Sequence, residues 1–176
     1  MTTSSEDVQS LSQEISRENE PTSPVVEHLQ EHLANTIVLY LNYKHYHWQT
    51  YGPLFRDLHK LFDDLADEVF ETIDPLAERI RMIGQDPVSD IESIGKTAKV
   101  RGAKQGSSTM RDFVQEANTN AMVMIKHMRA AFEVADKAPD PGTADLFARI
   151  VQIHEKHEWF LREVLAKGDG LVTQES

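Results

Sequence analysis

The chain has 176 residues, a hydrophobic fraction of 40%, no cysteine and a formal net charge of -11. That length favours one domain around a single core, and the lack of cysteine excludes a disulfide framework or a thiolate metal site. The longest apolar run, 37–41, falls far short of a membrane span, while the acidic balance disfavours nucleic acid and anionic lipid as partners and favours cations.

Residues 1–24 are rich in Ser, Thr, Glu and Gln, contain Pro21 and Pro24, and lack periodic apolar positions, which predicts a flexible acidic tail. The first ten residues have no signal-peptide core, so a cytoplasmic protein is expected. Val26, Leu29, Leu33, Ile37, Tyr40 and Leu41 recur at a helical period, predicting a helix over about residues 25–50 that Gly52-Pro53 terminates. A second helix follows over about 54–83, with Gly84 as its C-terminal cap. Its Pro75 predicts a kink, because an interior proline removes a hydrogen bond and its ring meets the carbonyl four residues earlier. Residues 85–107 hold Pro87, Gly95, Gly102 and Gly106 and are too long for a bundle turn. They read as a crossover with a short helix near 89–94. The third helix, about 108–135, opens on Thr109-x-x-Asp112 and carries Phe113, Ala117, Met124, Met128 and Phe132. Pro139-Asp140-Pro141-Gly142 leads to the fourth, about 143–167, periodic through Leu146, Ile150, Ile153, Phe160, Leu161 and Val164 and stopped by Gly168. The expected fold is all-α: a four-helix bundle over 25–167 with one long crossover, followed by a short tail at 168–176.

The chemistry is concentrated between the first two helices. His47, then His59 and Asp63 one turn apart, then Asp74 and Glu78 one turn apart, offer two imidazoles and three carboxylates, a mixed set that suits a transition metal such as iron. At about 100° per residue, with His59 at zero, Asp63 falls near ~40°, Asp74 near ~60° and Glu78 near ~100°. Leu58, Leu61, Leu65, Val69, Ile73, Leu76, Ile80 and Ile83 cluster at roughly 200–320°, so the ligand face turns away from the chain's own core. Asp63 and Glu78 are about 22 Å apart along a helix axis, too far to share one ion. A second chain must therefore complete the site, and an antiparallel twofold would set Asp74 and Glu78 of one copy against His47, His59 and Asp63 of the other.

Asp64, Asp67, Glu68 and Glu71 make this helix acidic in any case, so the carboxylates alone would read as a solvated face; the histidines at matching offsets distinguish it. No Glu-x-x-His pair occurs in the chain, which disfavours a di-iron site inside one bundle. His28 and His32, four residues apart, could hold zinc but have no evident third ligand and read as surface residues. His154 and His157 lack metalloprotease spacing and read as structural. The methionines read as packing, and Trp48 is divided between packing and electron supply.

The stretch His47-Trp48, Gly52-x-x-Phe55, His59-x-x-x-Asp63, Asp74-x-x-Ala77-Glu78-Arg79-Ile80 and Gly84 resembles the Dps family of mini-ferritins, and the likeness extends over about residues 25–167. The resemblance implies a ferritin-like bundle assembled into a hollow dodecamer. It implies ferroxidase centres across twofold interfaces, with His47, His59, Asp63, Asp74 and Glu78 as ligands and Lys44 and Trp48 as accessory residues. Iron would be oxidised, preferentially by hydrogen peroxide, and stored as Fe(III) mineral, with zinc able to substitute at the site, and DNA would be spared oxidative damage. Acidic residues near the start of the last helix line threefold pores in that family, which points to Asp136, Asp140 and Asp145. DNA-binding members commonly carry a lysine-rich tail. Here Glu6, Asp7, Glu14, Glu18 and Glu20 stand against Arg17 alone, so DNA binding is not expected. The alternatives are a nucleoid-compacting DNA-binding protein and a non-catalytic helical scaffold.

Overall fold

The computed structural model describes residues 5, 6, 9, 23–106 and 108–166. The tails expected over 1–24 and 168–176, and the stop at Gly168, lie almost wholly outside them. From residue 23 onward the described residues form α1 (Pro24–Gln49), α2 (Phe55–Phe70), α3 (Ile73–Met82), α4 (Ile91–Thr97), α5 (Met110–Lys137) and α6 (Pro141–Leu165), with no strand among them. No helix is long and apolar enough to cross a membrane among the described residues. Helix α1 packs on α2, α3, α4 and α5, and α5 packs most extensively on α6. This is a ferritin-like bundle of two helical hairpins joined by a long crossover.

The second predicted helix is two helices. Pro75 sits three residues into α3, where its missing N–H is unneeded, but its ring would meet the carbonyl of Glu71 in a continuous helix. The helix therefore closes at Phe70, and the freed groups find partners locally: the Thr72 N–H and hydroxyl both donate to the Val69 carbonyl, at 3.0 and 2.8 Å. The two linking residues, Glu71 and Thr72, keep right-handed helical angles, so the wheel from His59 carries roughly across the kink, with Leu76 and Ile80 buried and Asp74 and Glu78 exposed.

Other boundaries follow their local chemistry. Thr109 and Asp112 form the reciprocal capping box that the sequence predicts. Asp90 caps α4 by accepting from the Ser93 N–H at 2.8 Å, two residues later than the expected start. Gly52, with φ +87°, makes the turn between α1 and α2.

Apolar side chains from all the long helices fill the core, with Tyr43, Tyr46, Phe62, Phe147, Met124 and Met128 among its largest fully buried members. The methionine reading holds for that pair, whereas Met122 is exposed. Three amide side chains of α1 tie down the crossover. Gln30 accepts from the Val88 N–H and donates to the Asp86 carbonyl. Asn35 accepts from the N–H groups of Lys99 and Val100. Asn42 accepts from the Ala103 N–H and donates to the Arg101 carbonyl. These bonds let an irregular segment lie against the bundle without stranding its backbone groups. Trp48, Tyr51, Leu54, Phe70, Met82 and Trp159 are each more than half exposed, an unusual load of large apolar surface for one chain.

Candidate metal centre

His47 lies in the last turn of α1 and His59 near the start of α2, so the short Gly52 turn brings them face to face. Their rings stack with centroids 3.6 Å apart at an interplanar angle of 23°. His47 Nδ1 lies 2.8 Å from the His59 carbonyl, and His59 Nδ1 lies 3.0 Å from the His47 carbonyl. A carbonyl only accepts, so each Nδ1 carries the proton. In the neutral ring that leaves each Nε2 with its lone pair free to ligate a metal. Phe55 stacks on His59 at 4.9 Å, holding the ring further.

Asp63 is one turn beyond His59. Its Oδ1 accepts from Lys44 Nζ at 2.6 Å and lies 3.8 Å from His47 Nδ1. The bond from Lys44 holds the Asp63 carboxyl below the usual carboxylate range, and Asp63 in turn raises the Lys44 ammonium. Lys44 thus balances the charge of one carboxylate beside the two histidines.

One chain brings together His47, His59 and Asp63. It leaves Asp74 and Glu78 exposed on α3. Asp74 occupies the first turn of that helix, where the positive end of the helix dipole favours a carboxylate. Of the expected apolar stripe, Leu58, Leu65, Val69, Leu76, Ile80 and Ile83 are buried and Leu61 and Ile73 half-buried, in agreement with a ligand face opposite the core. Trp48 is 66% exposed, so packing within its own chain does not explain it.

The acidic residues expected near a pore divide. Asp136 is exposed, and Asp145 pairs with Arg149 at 3.0 Å on the surface. Asp140 departs from the expectation. Its side chain is buried; Oδ1 accepts from Arg79 at 2.5 Å and from the Thr143 N–H at 2.9 Å, and Oδ2 accepts from the Thr143 hydroxyl at 2.6 Å. Arg79 Nε also donates to the Thr143 hydroxyl at 2.8 Å. Asp140 therefore caps α6 and anchors α3 to it, with both oxygens occupied. A Cβ at Gly142 would lie 3.2 Å from the Arg79 guanidinium, so glycine keeps that path open.

Two other histidine pairs also resolve. His154 and His157 are fully buried, as a structural role requires. His157 Nε2 faces Glu68 Oε2 at 3.2 Å, and Lys156 pairs with the same carboxylate. Burial pushes the His157 imidazole down to about 4 and His154 well below its usual value. His32 corrects its reading as a surface residue: it is fully buried, burial pushes it down to about 3, and it edges onto Phe147. A third group stands beside His28 and His32. Glu31 completes a set whose ligand atoms all lie within 4.8 Å of one another. Sequence reasoning missed Glu31 although its spacing from His28 already set it on their helix face; its carboxylate is held by His127 of α5.

A ferritin-like domain model matches residues 26–171. The chain is 34% identical over 137 residues to a DNA protection during starvation protein of Brevibacillus brevis, covering 78% of this chain and 91% of that one. It is 33% identical over 141 residues to DNA protection during starvation protein 1 of Deinococcus radiodurans, covering 80% and 68%. Among solved structures, the Dps of Thermosynechococcus elongatus superposes with a TM-score of 0.81 at 50% identity, over 85% of this chain and 94% of that one.

Proposed function

The chain belongs to the Dps family of ferritin-like proteins, and from that premise we propose that it oxidises Fe(II) at centres shared by two copies and stores the product in a cage. The observation that carries this reading is the half-site at the α1–α2 turn. Two imidazoles are held by their Nδ1 atoms with both Nε2 lone pairs free, beside a carboxylate already balanced by Lys44. Asp74 and Glu78 of a twofold partner supply the remaining oxygen ligands.

Iron is the substrate. Carboxylates favour Fe(III) over Fe(II) because a hard, more highly charged ion gains more from anionic oxygen. Two Fe(II) ions each give one electron to hydrogen peroxide; its O–O bond breaks, and both oxygens leave as hydroxide. No single-electron step then releases hydroxyl radical, and hydrolysis of the Fe(III) yields mineral and protons. Peroxide is the preferred oxidant on this reading, and zinc, which accepts the same ligands, blocks the site. On this reading Trp48, exposed beside His47, meets the partner subunit and gives the second electron to peroxide when only one Fe(II) is bound to give the first. The exposed apolar side chains of the turn and of α2, α3 and α6 support assembly, for which we propose a dodecamer in the cytoplasm. Asp136 and Asp145 remain the candidates for focusing Fe(II) at a pore. DNA is protected through iron and peroxide chemistry, since a chain of net charge -11 repels a polyanion.

Subunit mixing tests the shared site. A His47→Ala/His59→Ala variant and an Asp74→Ala/Glu78→Ala variant should each be inactive. After dissociation and reassembly at equal amounts, half the twofold pairs are mixed and each carries one intact site, so about a quarter of the wild-type oxidation rate should return. Either double variant oxidising iron at the wild-type rate would refute the assignment, and a helical scaffold without chemistry would become the better account.

A further inference from the structure

We propose that His28, Glu31 and His32 form a second metal site on each chain, separate from the ferroxidase centre, that takes zinc. The three residues stand at i, i+3 and i+4 on α1, so they share one face of the helix, and their ligand atoms lie within 4.8 Å of one another. Helical spacing alone would be unremarkable. A second observation points to a ligand: His32 is fully buried, and neither of its ring nitrogens makes a hydrogen bond of good geometry, the His127 backbone giving only weak support. A buried polar ring left unpaired costs stability unless something binds it. The His32 lone pair is the group that a cation between these residues would satisfy.

The neighbours complete the arrangement. Glu31 Oε1 accepts from His127 Nδ1 at 2.7 Å, reaching across from α5. That bond fixes the carboxylate and leaves Oε2 available, the outer-shell support that metal ligands commonly receive. His28 is only partly buried, which gives the site an entrance from solvent. Two imidazoles and one carboxylate match the three-ligand zinc set whose fourth position water fills. The nitrogen donors count against calcium and magnesium, which take oxygen ligands. His32 and His47 are about 22 Å apart along α1, so an ion here shares nothing with the iron site. It would join α1 to α5 through the Glu31–His127 bond and stabilise the folded bundle by mass action.

Zinc stoichiometry on the assembled, metal-stripped protein is the test, read by equilibrium dialysis at free zinc near wild-type half-saturation. His28→Ala and Glu31→Gln should each lower affinity at this site roughly tenfold or more, so that its occupancy falls from about half a zinc per chain to about a tenth or less. Glu31→Gln keeps an acceptor for His127, so loss in that variant cannot be blamed on misfolding, and light scattering confirms the assembly of both. Iron oxidation should continue at the wild-type rate, because neither residue belongs to the ferroxidase set. Zinc should raise the melting temperature of the wild type by more than that of these variants, whose ferroxidase ligands still bind it. Equal zinc binding by wild type and both variants would overturn the proposal and leave His32 as a packed core histidine against Phe147. His59→Ala should remove zinc independently. If it removes none while His28→Ala does, this site stands and the ferroxidase assignment falls.

Discussion

Replacing Asp140 separates two roles for an acidic residue: lining a pore or holding two helices together. Asp140→Ala removes the N-cap of α6, worth about 1 kcal/mol. It also strips the buried side of an ion pair. Losing one partner of a fully buried pair costs about 3–5 kcal/mol. Arg79 keeps some access to solvent, with 23% of its side chain exposed, and retains the Thr143 hydroxyl, so roughly 2 kcal/mol is the share expected here. The sum, about 3 kcal/mol, corresponds to a fall in melting temperature of roughly 6–12 °C for a chain of this size. Asp140→Asn keeps the cap and loses only the charge, so it should fall by about two-thirds as much. Asp145→Asn breaks only an exposed pair and should change little. Thermal unfolding at one fixed protein concentration, with iron uptake measured on the same samples, reads both roles. A melting temperature unchanged within about 1 °C for Asp140→Ala, together with slowed uptake, would refute the anchoring account and restore the pore.

Acid should weaken the fold through buried histidines. His154 and His157 have folded values below that of an unfolded histidine, so the unfolded chain binds more protons as pH falls below about 6.5. Stability is fully present above that value and declines as pH drops toward about 4, where His157 begins to charge in place. At pH 5 each such group costs roughly 2 kcal/mol, and His154→Leu should flatten the fall in melting temperature by one group's share; an unchanged slope would contradict this. Pro75→Ala should let α2 and α3 join, raising the circular-dichroism signal slightly while slowing iron oxidation, because Asp74 and Glu78 turn with the helix; wild-type oxidation would mean the break does not aim them. In a gel shift at about 150 mM salt without divalent ions, plasmid DNA should run unretarded, and a clear shift would overturn the charge argument.

Much of this was legible from local patterns. The capping box at Thr109, the glycine turn at Gly52 and the apolar stripe of α2 each depend on residues within a turn or two, and each fell where the spacing pointed. The Asp140 role was not legible, since the Pro-Asp-Pro-Gly run looks like a polar turn until Arg79 arrives from α3. The crossover was seen as irregular, but its attachment to Gln30, Asn35 and Asn42 needed tertiary pairing. The ligand types at the half-site followed from spacing. The mutual carbonyl bonds that set the His47 and His59 tautomers did not, because they depend on how tightly the turn closes.

The exposed apolar side chains have a consequence for timing. A lone folded chain carries Trp48, Phe70, Met82 and Trp159 in water and, on the proposed reading, only half of each reaction centre. Such a chain is sticky but chemically idle toward iron. Competence then rises with the square of chain concentration during synthesis, and a newly made subunit is unable to run uncontained redox chemistry before it has found its neighbour.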